Sequence, residues 1–280
     1  AAERAAAAAA AAATRRPHVL LDPDLASRTD APKAGMPDMP AEEIADRIVA
    51  TLLQGSGPIL LCVPGTLGAA YQTTMLSVAR AVVRSIGGPV SVASIPYPNG
   101  IKDVVTRFFH IGTEPAHNVL AHVLRKLHAA APQRPILLTG ESQGAWLIAD
   151  TLREDPTLAA AVTRIAMFAK PGFVTLPPSI GSARDGAALL AATPGGSDGI
   201  LQFVHTDDIV PSLFRRLGPH VLAGYVRGFG ELLAGGQFGY SPHHYDAHGM
   251  EAARWLLLGQ RPAADPVHES GTHPTHAPIA

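Results

Sequence analysis

The chain has 280 residues, enough to bury a sizeable core without a disulfide or metal staple, and 47% of them are hydrophobic, as in an ordinary globular protein. Only 16% are charged, and 22 Lys and Arg balance 23 Asp and Glu to a formal net charge of -1. That balance excludes an electrostatic nucleic-acid binder, which needs a basic surplus or stripe, and leaves no polybasic handle for anionic lipid.

From the start of the chain, unbroken alanine over 5–13 and a proline-rich stretch over 14–40 read as an arm without a catalytic role. Helical periodicity begins at 41–54. An apolar run at 58–63 follows and holds the single cysteine, Cys62. One cysteine excludes an intrachain disulfide and a cysteine-based zinc site, and in this run it reads as a buried strand thiol. A helical pattern over 68–86 precedes a second strand-like run at 89–95. Helix 114–130, strand 135–139, helix 143–153, strand 163–169 and strand 200–205 come next. Helical patterns over 212–234 and 248–258 close the series, and residues 261–280 read as a flexible tail. No apolar stretch reaches the ~18–20 residues of a membrane-crossing helix.

Strand and helix in alternation predict one α/β domain over 41–260, with a mostly parallel five-stranded sheet between two helical layers. Function in such sheets sits at the carboxyl ends of the strands. The third strand there runs into Gly140-Glu141-Ser142-Gln143-Gly144, and a helical pattern follows at once. This is G-x-S-x-G between a strand and a helix, the setting a nucleophile elbow needs. The serine must sit on a sharp turn so that its hydroxyl projects above the sheet, and the two glycines let strand and helix approach closely. The helix N-terminus aims free N–H groups at a developing oxyanion, with the N–H of Gln143 as the expected donor.

A serine nucleophile needs a base and an orienting acid, which in this fold class follow it in the order Asp or Glu, then His. Asp207 and Asp208, just past the fifth strand, both qualify for the acid. His243, His244 and His248 precede the last helix and all qualify for the base, His248 least because it stands where that helix begins. The loop after the first strand, Val63-Pro64-Gly65-Thr66, supplies the second oxyanion donor at Thr66, which also reads as a helix cap. The Gly-rich, apolar segment 224–240 reads either as a lid over an acyl chain or as a packed helix and turn.

No GxGxxG, P-loop or HExxH pattern occurs; His110, His117 and His122 read as helix-face residues, and no metal or cofactor is expected.

Together these motifs resemble the cutinase-like serine esterases of the α/β-hydrolase fold, and among them the mycobacteriophage lysin B family, over about residues 57–258. Gly140 to Gly144 is similar to the G-Y-S-Q-G elbow, with Glu141 in place of the tyrosine. Cys62 to Thr66 is similar to the lysin H-G-T loop, with Pro64 in place of the histidine. Ile95 to Pro98 is similar to the Y-P-A stretch after the second strand. The resemblance selects Asp208 as the acid, Thr66 as an oxyanion contributor and, through the P-H-x-Y segment at Pro242 to Tyr245, His243 as the base. Cutinases proper are disulfide-bonded, which a single-cysteine chain cannot be, and this favours the lysin branch or a related actinobacterial hydrolase. Only 34 residues separate Asp208 from His243, fewer than the helical insertion of the lysins requires. The implied substrate is a lipid ester, the mycolyl-arabinogalactan ester of the mycobacterial envelope, with neither nucleic acid nor stable membrane insertion involved. The alternatives are a general lipolytic esterase and a non-catalytic wall-binding or virion protein of the same fold.

Overall fold

A computed structural model describes residues 40–66, 73–100, 103, 114–171, 199–205, 208 and 245–261. Most of the arm, the tail beyond 261, the helix read over 212–234, the segment 224–240, and Asp207, His243 and His244 lie outside the described residues.

Five described strands form one sheet: β1 (Ile59–Val63), β2 (Ser91–Ser94), β3 (Ile136–Glu141), β4 (Arg164–Phe168) and β5 (Ile200–Phe203). Their order is β2-β1-β3-β4-β5, and every pairing is parallel. The described helices are α1 (Ala41–Leu52), α2 (Thr73–Ile86), α3 (Glu114–Ala130), α4 (Gln143–Glu154), α5 (Pro156–Ala159) and α6 (Gly249–Leu258). The expected three-layer α/β architecture is the one observed.

The two-residue period of a strand decides which helix each side chain meets. Ile59, Leu61, Val63, Ile136, Leu138, Ile165 and Met167 pack against α1, α3 and α4. Leu60, Cys62, Leu137, Ala166 and Phe168 point the other way, against α2 and α6. A parallel sheet covered on both faces favours near-continuous apolar runs, and β1 is buried throughout. Each fully buried Leu, Ile or Val contributes about 1.5–3 kcal/mol. The pairs of Lys126 with Glu42 and Asp46, which join α3 to α1, are exposed and screened by solvent, so the layers are held by apolar burial.

Two polar fastenings matter for the site. At the amino end of the sheet, the Arg134 guanidinium donates to the carbonyls of Gly57 (2.8 Å) and Leu52 (2.9 Å) and to the Ser91 hydroxyl (2.9 Å). It thereby ties the end of α1 to the entries of β1 and β2. On the opposite face, the Trp255 indole donates to the Ile165 carbonyl (2.8 Å), and Arg164 donates to the Leu256 carbonyl (3.1 Å). These bonds lock α6 onto β4. The helix ends at Gly259 (φ 67°), a left-handed cap whose N–H reaches back to Trp255 O at 2.8 Å.

The chain leaves β1 for β2 on one side and later returns to β3 on the other. The crevice between the carboxyl ends of β1 and β3 is therefore the topological switch point, where ligands bind in open α/β sheets.

Candidate active site

The strand before the elbow is longer than its apolar run. Gly140 pairs with Val63 and Met167, and Glu141 pairs with Phe168, so β3 continues two residues past the predicted end at Thr139. Ser142 then stands at φ 52°, ψ -117°, a region that L residues other than glycine rarely occupy. Its N–H donates to Phe168 O (2.9 Å), and its carbonyl accepts the first helical bond of α4, from Trp146 N (3.1 Å). The direction change from strand to helix is thus completed within one residue. Such strain costs about 1–3 kcal/mol and persists only where the surroundings over-determine it. Here α4, buried along its length from Gln143 to Leu152, supplies that constraint.

The glycines flanking the serine are fitted to this geometry. A Cβ at Gly140 would stand 2.7 Å from Ile148 Cδ1, and one at Gly144 would stand 2.5 Å from the Pro64 carbonyl oxygen. The first turn of α4 therefore lies directly against the loop after β1, which carries Thr66. The Thr66 hydroxyl lies 3.4 Å from Gln143 Oε1, so both expected oxyanion residues meet at the switch point. The Gln143 side chain is buried, and its Nε2 has no hydrogen-bond partner among the described residues. Two side chains from beyond β2 hold the same loop: Tyr97 donates to Pro64 O (2.5 Å) and Asn99 to Gly65 O (3.0 Å). Both are buried.

Asp208 lies beyond β5, fully buried, with its N–H on His205 O at 3.1 Å. Its Oδ2 accepts a hydrogen bond from the Tyr245 hydroxyl at 2.7 Å. That hydroxyl in turn accepts from the His205 N–H at 3.0 Å. Burial and, next, the Asp208 charge push the Tyr245 phenol far above its usual range, and the more distant Glu141 carboxylate acts in the same sense. The Tyr245 ring stacks on the His205 imidazole (4.1 Å, 13°) and meets Phe168 edge-on (5.8 Å, 62°); Phe168 itself stacks on Phe203 (4.7 Å, 12°). This aromatic platform joins the carboxyl ends of β4 and β5 to the segment before α6.

Many solved structures resemble the chain, among them the following three. A Trichoderma reesei cutinase in complex with a phosphonate inhibitor is 14% identical, with a TM-score of 0.47 over 78% of this chain and 87% of that one. A cutinase-like protein from Cryptococcus sp. is 14% identical, with a TM-score of 0.43 over 72% of this chain and 95% of that one. The catalytic core of an acetyl xylan esterase from Trichoderma reesei is 16% identical, with a TM-score of 0.39 over 66% of this chain and 98% of that one. No family model matches the chain, and no curated protein matches it significantly.

Of the residues read from the sequence, Ser142, Gln143 and Thr66 meet at one crevice, and Asp208 stands past the neighbouring strands at the same end of the sheet. His243 lies outside the described residues, as do its rival His244 and the rival acid Asp207. His248 has both ring nitrogens engaged, Nδ1 with Glu251 Oε2 (2.7 Å) and Nε2 with His205 Nε2 (3.0 Å). It closes the short 3-10 turn before α6, the structural place expected of it. Tyr97, Asn99, His205 and Tyr245 carry no functional signal of their own in the sequence, although Tyr97, His205 and Tyr245 lie inside segments that carry the family resemblance. Among the described residues, no cluster of three or more His, Cys, Asp or Glu could hold a metal ion, and no helix is long and apolar enough to cross a membrane.

Proposed function

We propose that the chain is a serine esterase acting on lipid-type carboxylic esters through an acyl-enzyme. The observation that carries this reading is Ser142 in strained backbone at the head of a buried helix, beside the switch point of a parallel sheet. Strain of this kind is what a nucleophile elbow needs at the serine of a sharp strand-to-helix turn.

In the proposed reaction His243 takes the Ser142 proton as Oγ attacks the ester carbonyl carbon. Asp208 holds the imidazole in the useful tautomer and stabilises its positive charge. The N–H groups of Gln143 and Thr66 receive the negative charge that develops on the carbonyl oxygen. The C–O bond to the alcohol then breaks, and His243 returns its proton to the departing oxygen. Water repeats the sequence on the acyl-enzyme and releases the acid.

The natural substrate proposed is the ester between mycolic acid and arabinogalactan, which would place the protein in the release of the mycobacterial outer lipid layer during phage infection. What supports this narrower reading is the likeness of the Gly140–Gly144, Cys62–Thr66 and Pro242–Tyr245 segments to the lysin B pattern.

A fluorophosphonate probe tests the activity class: it labels Ser142 in the full chain and fails to label Ser142→Ala. Retained p-nitrophenyl butyrate turnover in Ser142→Ala would refute the assignment. Asp208→Asn should lower turnover about 10⁴-fold, far more than Asp207→Asn. Incubation with purified mycolyl-arabinogalactan, scored for free mycolate, tests the substrate; turnover of short esters without mycolate release would leave a general lipolytic esterase.

A further inference from the structure

The chemistry of the Asp208 site is set by a residue that the proposed triad does not use. We infer that Tyr245 is a positioning residue for the acid of the triad, fixing the Asp208 carboxylate so that its second oxygen is presented to the base; this rests on the serine esterase reading above.

The direction of the hydrogen bonds is determined by the groups present. A peptide N–H only donates, so the His205 N–H on the Tyr245 hydroxyl occupies an oxygen lone pair and leaves the phenolic proton to point elsewhere. An ionised carboxylate only accepts, and Asp208 Oδ2 lies 2.7 Å away. The phenol is thus a donor of fixed orientation, and it does not lose its proton in the working pH range because burial and neighbouring negative charge hold the proton on.

The ring cannot swing away from this bond. His205 covers one face and Phe168 closes the edge. On the chain side, His248 N–H donates to Tyr245 O (3.0 Å), and the Ser77 hydroxyl of α2 donates to the carbonyl of the next residue, Asp246 (2.6 Å). The segment is therefore pinned to both α2 and α6, and α6 is itself locked onto β4. Among the described residues, the titratable groups around the phenol are Asp208 at its hydroxyl, His205 on its face, His248 beyond that ring and Glu141 at longer range.

Tyr245 also lies two residues after His243 in the sequence, so one segment would carry both the base and the clamp on its acid. A carboxylate tied at Oδ2 keeps its plane fixed, and the donated proton withdraws charge from it. Removing the donor takes away one hydrogen bond that orients the carboxylate and makes it a stronger partner for the imidazolium. Turnover then falls, and the acidic limb of the pH–rate profile, which reports protonation of the base, moves to higher pH.

The test uses the full chain with p-nitrophenyl butyrate, rates being normalised to sites titrated with fluorophosphonate. Tyr245→Phe is expected to lower kcat about tenfold at nearly constant KM, the loss of one hydrogen bond to a charged group. Its acidic limb should shift upward. In an Asp208→Asn background the same change should have little further effect, because the phenol acts through that carboxylate. Replacement of Tyr245 by 3-fluorotyrosine, a stronger donor of nearly the same shape, should move the limb the opposite way, and it serves if Tyr245→Phe does not fold. An unmoved limb in both variants, or equal losses with and without Asp208, would overturn the inference while leaving the serine esterase reading intact. A wild-type chain in which Ser142 takes no label would overturn that reading and this inference with it.

Discussion

Gly144 and Val63 approach so closely that a single Cβ at Gly144 would overlap the Val63 carbonyl oxygen. The first turn of α4 and the loop after β1 are thereby fitted to each other backbone against backbone, with Gln143 and Thr66 on either side of the contact. Gly144→Ala must push the two apart, and neither is a flexible side-chain end. We expect a loss of about 1–3 kcal/mol in denaturant unfolding, the usual range for overpacking. Ester turnover should fall about 10²–10³-fold, as when one oxyanion donor is displaced. Wild-type turnover in a stably folded Gly144→Ala would show that the two donors need not be held in register.

Ser142 stores strain that glycine would relieve. Ser142→Gly should be more stable than Ser142→Ala by about 1 kcal/mol, the strain of about 1–3 kcal/mol less the larger unfolded-state entropy of glycine. Both variants lack the hydroxyl, so the comparison isolates the backbone. Equal unfolding midpoints would mean that the strain at φ 52° only matches the entropic disadvantage of glycine, about 0.5–1 kcal/mol.

Tyr97 holds the loop after β1 through Pro64 O at 2.5 Å, and its ring is fully buried. Tyr97→Phe keeps the ring and removes the bond, leaving a buried carbonyl to find another partner. Stability should fall by about 1–2 kcal/mol. If the loop carries an oxyanion donor, kcat should fall more than KM rises, because the donor acts on charge formed only in the transition state. A pure KM effect would place Tyr97 in substrate binding instead.

Cys62 makes stability fall in alkali. Burial pushes its thiol up to about 12 from an ordinary 9.0. Between those values the unfolded chain loses the proton while the folded chain keeps it, so the stabilisation is complete below about pH 9 and declines as pH rises toward 12. At pH 10.5 the loss amounts to about 2 kcal/mol relative to pH 8. Tyr245, whose phenol is also raised by burial, adds to the same slope above pH 10. Urea unfolding of Cys62→Ala should show a lower baseline stability from the lost packing but a shallower alkaline decline. Parallel curves for the two proteins would contradict a buried, neutral thiol.

The strands were legible because a sheet covered on both faces selects mostly apolar residues, and each run of them in the sequence became a strand within two residues of its expected ends. The miss at β3 is instructive. Gly140 and Glu141 break the apolar run, yet both remain in the ladder because Val63, Met167 and Phe168 offer backbone partners on either side. Burial of a carboxylate at Glu141, or the second left-handed residue at Ala169 after β4, leaves no mark in a local pattern.

At the site, the turn around Ser142 could be read directly, since two glycines spaced around a serine state a local steric need. The bonds from Tyr97 to Pro64, Asn99 to Gly65 and Tyr245 to Asp208 could not, because each joins segments more than 30 residues apart. Chain order and periodicity alone determined the alternating elements, the strand faces and the position of the elbow, all of which depend on neighbours within a few residues. Only the tertiary structure decided which side chains brace the loop after β1 and which phenol holds Asp208. Those contacts exist because sheet order and helix packing bring remote segments to one edge, and a linear pattern carries no record of that geometry.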